Sequence, residues 1–410
     1  MISRWVWMLR GVLRRLWVRV ASFAVLALVA AGLAPVLAPL VPQVWSEALG
    51  GDAVDQVLSI LASSMLAVTT FSLSIAVTAF TAAASTATPR ATALLQEDQT
   101  TQTTLATFLG AFVYSIVAII GLNAGYYGEG GRVVLFGSTI FVAAVVVFAL
   151  LRWIGYLPGF GRMNDTLDRV EVASRNALEA RLAEPWLGGH PFAGAVPDGT
   201  WPVRLDCTGY VQYVDVEAVQ DCAQKYGLQV WMGALPGEFV YISTEVLHVL
   251  GSRDAEARLR DAFTVAPSRS FDQDPLHGLV VLAEIASRAL SSGVNDPGTA
   301  TAVIGRQVSV LSIWTRREEP DVRFDRVHVP AIRPEDALDV AFRPILRDGI
   351  GTSEVLVRLI AALNALDRIA SETYGAGVDR LLAEVDDRLE RATGLSARDR
   401  AEIAQARAAK

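Results

Sequence analysis

Residues 55–88 read DQVLSILASSMLAVTTFSLSIAVTAFTAAASTAT, and no charged residue lies between Asp55 and Arg90. About 20 apolar residues are enough for a helix to cross the roughly 30 Å of hydrocarbon in a bilayer. At 1.5 Å per residue, a helix of this length reaches about 50 Å and extends past the bilayer. The stretch therefore predicts a long transmembrane helix in an integral membrane protein.

Three more windows without charge support the same conclusion, and charged residues make up only 19% of the chain, against roughly 25% in soluble domains. The first window is too long for a signal peptide. We predict four transmembrane helices, over about 20–42, 55–88, 102–126 and 133–156.

The distribution of arginine predicts the orientation. Five arginines and no acid precede the first span, and Arg152, Arg162 and Arg169 follow the last one. Because Lys and Arg concentrate in cytoplasmic loops, both termini are expected in the cytoplasm. The chain after Leu151 holds 29 basic and 37 acidic residues, which is typical of an acidic soluble region. Cys207 and Cys222 in that region are expected to be reduced thiols.

The predicted fold class is an integral membrane α-helical protein with four transmembrane helices, plus a cytoplasmic α/β unit followed by a helical unit. Alternating and β-branched residues predict strands over 203–215, 229–243 and 263–267, with a helix over 216–226 and a turn between strands at Pro236-Gly237. Helical patterns follow over 276–291, 299–315, 335–347, 353–371 and 378–391. The predicted domains are a transmembrane domain (1–156), a membrane-proximal helix and linker (157–202), the α/β unit (203–270) and the helical unit (271–410).

At 100° per residue, the polar residues of the second span fall within one sector about 100° wide. These candidate pore-lining residues are Ser59, Ser63, Thr70, Ser74, Thr78, Thr81, Ser85 and Thr88. In one interpretation the small residues form a helix-packing seam, and the third span offers a matching stripe. In the other, several subunits enclose a wet ion pathway. Asp55 and Arg90 are candidates for its two mouths, and ion selectivity stays open.

Asp274-Pro275 and Asp296-Pro297 place an acid before a proline near predicted helix starts, a pattern typical of N-caps. The alternative is that Asp272, Asp274, Asn295 and Asp296 bind a divalent cation or other ligand. His277 is a candidate for pH-dependent gating. These five residues are the candidate cytoplasmic ligand or gating residues.

No Walker A loop, nucleophile elbow or Cys–His pairing is present, so the sequence predicts no enzyme, no cofactor and no metal site. The acidic region argues against nucleic acid. The expected partners are further copies of the chain, the lipid bilayer, anionic lipids at the N-terminal arginine cluster, and ions.

Several motifs occur in a familiar order: Gly209-Tyr210-Val211-Gln212, then Pro236-Gly237-Glu238-Phe239-Val240, then Asp272-Gln273-Asp274, then Arg288 to Pro297, with Thr107-Phe108-Leu109-Gly110 in the membrane half. With these motifs the chain resembles the bacterial membrane proteins catalogued as domain of unknown function 2254. The resemblance implies a four-helix membrane half and a cytoplasmic half. It implies no activity. From this resemblance together with the predicted spans and their orientation, we expect a location in the bacterial inner membrane.

The sequence thus favours a homo-oligomeric, channel-like ion pathway, lined by the hydroxyl face of the second span and gated by the cytoplasmic region. The alternative is a membrane-anchored cytoplasmic sensor or scaffold without transport activity. Replacement of Thr70 and Ser74 separates these two hypotheses.

Overall fold

A computed structural model describes residues 51–96, 98–315 and 321–409, together with eight isolated positions between 17 and 33. The predicted first span, 20–42, lies outside the described residues except for six of those positions. The chain divides into two compact units, with the boundary between Thr166 and Leu167. We call them the membrane unit and the C-terminal unit.

Three helices of the membrane unit are long and apolar enough to cross a bilayer: α1 (Gly51–Thr86), α3 (Gln99–Asn123) and α4 (Glu129–Tyr156). They confirm three of the four predicted spans. The short helix α2 (Pro89–Gln96) connects α1 to α3. Asp98 begins α3, where its carboxylate accepts hydrogen bonds from the N–H and the hydroxyl of Thr101.

The three long helices pack through small and aromatic side chains. One cluster joins Val54 and Leu58 of α1 to Tyr114 of α3 and Leu135 of α4. The Tyr114 hydroxyl lies 2.6 Å from the Ser138 hydroxyl, which satisfies its polar group inside the bundle. A second cluster, around Leu61, Met65, Phe108 and Trp153, continues the packing along α1.

Two sheets form the mixed α/β part of the C-terminal unit, which follows helix α5 (Met163–Ala183). The strands are β1 (His190–Phe192), β2 (Trp201–Arg204), β3 (Gly209–Val214), β4 (Gln229–Met232), β5 (Phe239–Val240), β6 (Glu245–Leu250), β7 (Phe263–Ala266) and β8 (Val327–Pro330). Their orders are β1-β8-β4-β6-β2 and β5-β3-β7. β8 pairs in parallel with β1 and β4, and the other pairs are antiparallel.

Helix α6 (Val216–Tyr226) confirms the predicted helix at the same bounds. Asp215 caps its first turn by accepting from the Ala218 N–H, and Gly227 ends it in the left-handed conformation (φ +64°). The predicted strand 203–215 is wrong as a continuous element, because a break after Arg204 divides it into β2 and β3. The predicted turn at Pro236-Gly237 is confirmed, and it separates β4 from β5 within 229–243.

The remaining helices are α7 (Glu256–Asp261), α8 (His277–Ala289), α9 (Pro297–Leu311), α10 (Pro334–Gly349), α11 (Ser353–Arg391) and α12 (Ala397–Ala408). The predicted helices 353–371 and 378–391 are parts of α11, which is kinked at Ala370 (φ −156°). The segments 157–202 and 271–410 each supply a strand to the five-stranded sheet, β1 and β8 respectively. That sheet therefore extends beyond the predicted α/β unit.

Candidate functional site

Seven hydroxyl side chains of α1 form an outward face, which we call the hydroxyl face. Its members are all exposed: Ser59, Ser63, Thr70, Ser74, Thr78, Thr81 and Ser85. The buried residues of α1 lie on the opposite side of the helix and include Leu58, Leu61, Met65, Ala76 and Ala83. At 100° per residue, the centres of the two arcs differ by roughly 170°. The hydroxyl face is therefore turned away from the described helices that α1 packs against, α3 and α4.

The hydroxyl groups of this face donate to carbonyl oxygens of their own helix. Thr70 donates to the Leu66 carbonyl at 2.9 Å, and Ser74 donates to the Thr70 carbonyl at 3.0 Å. Ser63, Thr78, Thr81 and Ser85 make the same kind of bond. Because each hydroxyl proton is donated to a carbonyl of the same helix, the free lone pairs of the hydroxyl oxygen face outward. The face presents hydrogen-bond acceptors to whatever covers it.

Thr88 does not belong to the hydroxyl face, contrary to the sequence prediction. It follows the end of α1, is buried, and accepts from the Ala91 N–H at the start of α2. The physical reason is Pro89, which disfavours a helical conformation in the residue before it.

The predicted mouth residues, Asp55 and Arg90, lie at opposite ends of α1. Asp55 lies in the second turn of α1, and its Oδ1 is buried without a hydrogen-bond partner in the described part of the chain. Arg90 is exposed in the first turn of α2. The part of α1 from Asp55 to its end at Thr86 is about 47 Å long at 1.5 Å per residue.

The small-residue stripe of α3 does not mirror the hydroxyl face. Its members Thr104, Thr107, Ala111, Ser115 and Ala118 are all buried inside the membrane unit. Within one protomer, the described helices therefore do not pair the two stripes with each other.

The segment that connects α4 to α5 packs against α1. Gly161 has φ +74°, and a Cβ built on it would lie 2.9 Å from the Cβ of Ala79. Next to it, Phe160 is buried, with its ring 5.7 Å from that of Phe80. The Asp165 carboxylate accepts from the Gly161 N–H at 3.3 Å. The α4–α5 connection thus packs directly against α1.

In the C-terminal unit, Asp274 is the centre of a buried charged cluster. Its side chain is 2% exposed, and Oδ2 accepts from the Nε of Arg269 at 2.6 Å. Its Oδ1 accepts from the N–H groups of Leu276 and His277 at 3.1 Å, which caps the start of α8. Gly237 permits this arrangement, because a Cβ there would lie 2.4 Å from the carboxyl carbon. Sequence reasoning recognised the cap but not the ion pair.

Arg181 of α5 extends the cluster. Its Nη2 donates to the Gln273 carbonyl at 3.0 Å, while its Nη1 is buried without a partner among the described residues. Burial lowers the pKa of Arg181 to about 10, although Asp274 and Glu184 oppose this shift. Burial likewise raises the pKa of Glu238, and the charge of Asp274 adds to that rise. No sequence signal linked Arg181 to a loop some 90 residues later.

The five predicted ligand or gating residues do not converge. Asp274 and His277 meet at the start of α8, where His277 is buried with its ring 4.4 Å from that of Phe271. Asp272, next to them, is exposed. Asn295 and Asp296 follow the other end of α8, whose 13 residues span about 20 Å.

Asp296 is the N-cap of α9. It accepts from the Thr299 N–H at 3.0 Å and from the Thr299 hydroxyl at 2.6 Å. These bonds lower the pKa of Asp296. Before it, Asn295 has φ +50°, a conformation that asparagine tolerates better than most residues. The geometry favours a helix cap here over a cation site.

The described residues contain no group of three or more His, Cys, Asp or Glu side chains able to hold a metal ion. The two polar arrangements described above are the acceptor face of α1 and the ion-paired Asp274 cluster. Neither arrangement contains a nucleophile placed next to a base.

Comparison with known proteins agrees with the predicted resemblance. A family described as "Predicted membrane protein (DUF2254)" matches residues 14–365. Two uncharacterized proteins, from Mycobacterium bovis and Mycobacterium tuberculosis, are each 26% identical to the chain over 392 residues, which cover 88% of this chain and 74% of the relative. No solved structure matches. The chain is thus a membrane protein and belongs to the DUF2254 family.

Proposed function

We propose that several copies of this chain assemble in the bacterial inner membrane and enclose an ion pathway lined by the hydroxyl face of α1. The observation that carries the proposal is that this face, with seven exposed hydroxyl side chains, points away from the described helices that pack against α1. A helix surface that meets only lipid is expected to be apolar. A polar face in that position favours contact with water or with another protein surface.

The direction of the hydroxyl hydrogen bonds supports cations as the conducted species. Thr70, Ser74 and Thr78 each donate to their own helix, so their remaining lone pairs are the groups that an ion meets. Oxygen lone pairs replace the hydration shell of a cation, as carbonyl oxygens do in selective channels. Asp55, at one end of α1, adds a negative charge that concentrates cations at that mouth.

One α1 helix cannot enclose a pathway, so the proposal requires a homo-oligomer. It places both termini in the cytoplasm, because the arginines flank the first and last spans on that side. It makes the C-terminal unit the gating region. The close approach of Gly161 to Ala79 supports this role. Gly161 belongs to the segment that leads into the C-terminal unit, and Ala79 belongs to α1, the helix that carries the hydroxyl face. The proposal assigns no catalytic activity.

The test is single-channel conductance of the purified protein in planar bilayers, with Thr70→Val compared to Thr69→Val. Both threonines donate to a carbonyl four residues earlier, but Thr70 is on the hydroxyl face and Thr69 is half-buried on another side. We expect cation currents that Thr70→Val lowers and Thr69→Val leaves unchanged. Equal conductance in both variants, or no current from an assembled oligomer in several salts, would contradict the proposal.

The second candidate is a membrane-anchored sensor or scaffold without transport activity. It is favoured by the same hydrogen bonds, since a hydroxyl satisfied within its own helix can pack against another helix without water. In that case Ser74→Val disturbs assembly because it adds bulk to the seam, whereas Ser74→Ala is tolerated. Analytical ultracentrifugation of the two variants in detergent distinguishes this candidate from the pore.

A further inference from the structure

Three of the four histidines lie in one row across the five-stranded sheet. His190 of β1 is opposite His328 of β8, which is opposite Trp231 of β4, which is opposite His248 of β6. Directly opposite residues on neighbouring strands point to the same face of a sheet. The sequence gives no sign of this row, because its members are up to 138 residues apart.

The side chains of the row form a stack. The rings of His190 and His328 are 5.6 Å apart with an angle of 29° between their planes. On its other side, His328 lies 5.1 Å from the ring of Trp231, almost parallel to it at 9°. The Nε2 of His328 is also 3.3 Å from the Oε1 of Gln229. Thus His328 is enclosed between two rings, and one of these is itself titratable.

This stack lies where the chain enters the sheet from α5. β1 has three residues and pairs with β8 at the edge of the sheet. Just before it, the Gly188 carbonyl accepts from the N–H groups of Arg323 and Phe324, both at 2.8 Å. A Cβ on Gly189 would lie 2.5 Å from the Val327 carbonyl oxygen. The contacts of β1 and of the turn before it are therefore made mainly to the segment that contains His328.

The neighbouring charged groups have other partners. His248 lies 3.7 Å from the Glu245 carboxylate, which pairs with Arg204 at 2.5 Å. On the β8 side, Arg323 pairs with Glu184, Asp325 accepts from Gln220, and Arg326 donates to the Leu228 carbonyl. Burial lowers the pKa of His328, and His190 adds to this shift. Within the described residues, burial and the charge of His190 are the two causes that lower the pKa of His328.

We propose that the His190–His328 stack is an acid-operated latch on β1: the neutral rings hold β1 on the sheet, and protonation of the stack releases it. Two imidazolium ions 5.6 Å apart in a half-buried stack repel each other, and no acid pairs with them among the described groups above. The ordinary pKa of histidine is 6.5. Because folded His328 binds its proton less readily, the latch is fully stable above this pH and loses stability as the pH falls below it.

Hydrogen–deuterium exchange of the full-length protein in nanodiscs tests the latch. We expect peptides covering 187–192 and 325–330 to lose up to about tenfold in protection between pH 7.5 and pH 5.5, after correction for the intrinsic exchange rate. The tenfold limit is the change expected if one histidine takes up its proton only when β1 has left the sheet. Unchanged protection of these peptides would overturn the proposal.

Two variants identify the responsible groups. The double variant His190→Phe/His328→Phe keeps the ring stack without titration, so its protection should not depend on pH in this range. His248→Phe is the matched control, because His248 lies in the same row beside Glu245, and it should keep the full response. If the double variant does not fold, His190→Gln should reduce the response. A response that disappears in His248→Phe, or persists in the double variant, would contradict the latch.

Discussion

Replacement of Asp274 by alanine should destabilise the C-terminal unit strongly. The carboxylate is 2% exposed, pairs with Arg269 and caps the start of α8. Removing one partner of a buried ion pair costs about 3–5 kcal/mol, and loss of an N-cap costs about 1 kcal/mol. Because Arg269 is 18% exposed, it regains part of its hydration. We therefore expect a total loss of about 3–5 kcal/mol.

The assay is pulse proteolysis of the full-length protein in mild detergent over a urea series, which follows the C-terminal unit separately from the membrane helices. Asp274→Asn keeps an acceptor for the cap but loses the charge, so its effect should be smaller. Asp272→Ala is the matched control. It lies two residues away and is exposed, so it should change stability by no more than about 0.5 kcal/mol. A loss below about 1 kcal/mol in Asp274→Ala would refute the assignment of a buried ion pair.

Three further substitutions test other contacts. Gly161→Ala forces a strained positive φ and a contact with Ala79; it should cost at least about 1 kcal/mol and lower the thermal stability of the detergent-solubilised protein. Tyr374→Phe removes a buried hydroxyl that donates to the Leu311 carbonyl at 2.7 Å, so urea unfolding should show a loss of about 1 kcal/mol. Asp296→Ala should cost about 1 kcal/mol as a lost N-cap, equally with and without added calcium or magnesium; a larger loss in their presence would indicate a cation site instead.

The hydroxyl face could be predicted from the sequence because it depends on one helix. A constant rotation per residue places Ser59 to Ser85 on one side whatever surrounds the helix. Thr88 departs from this face for an equally local reason, because Pro89 disfavours a helical conformation in the residue before it. Caps such as Asp215 and Asp296 were also recognisable, because their partners lie three residues away.

The contacts that escaped prediction join distant parts of the chain. β1 and β8 have three and four residues, too few for a periodic pattern, and β8 lies between helices. Arg181 meets the Asp274 loop through a carbonyl 92 residues later. The histidines have no pairing at helical spacing, and only the register of parallel strands brings His190 to His328. Such contacts follow from the tertiary fold, which a single sequence does not specify locally.

Reaction with a membrane-impermeant charged thiol reagent tests most directly whether the hydroxyl face is wet. Single cysteines are introduced at Thr70, Ser74 and Phe71 in a Cys207→Ser background, which removes the native cysteine that is exposed. A pore predicts fast modification of Thr70→Cys and Ser74→Cys in the oligomer, and slow modification of Phe71→Cys, which lies beside the hydroxyl face on the same helix. Unreactive cysteines at Thr70 and Ser74 in a folded oligomer would contradict a water-filled pathway.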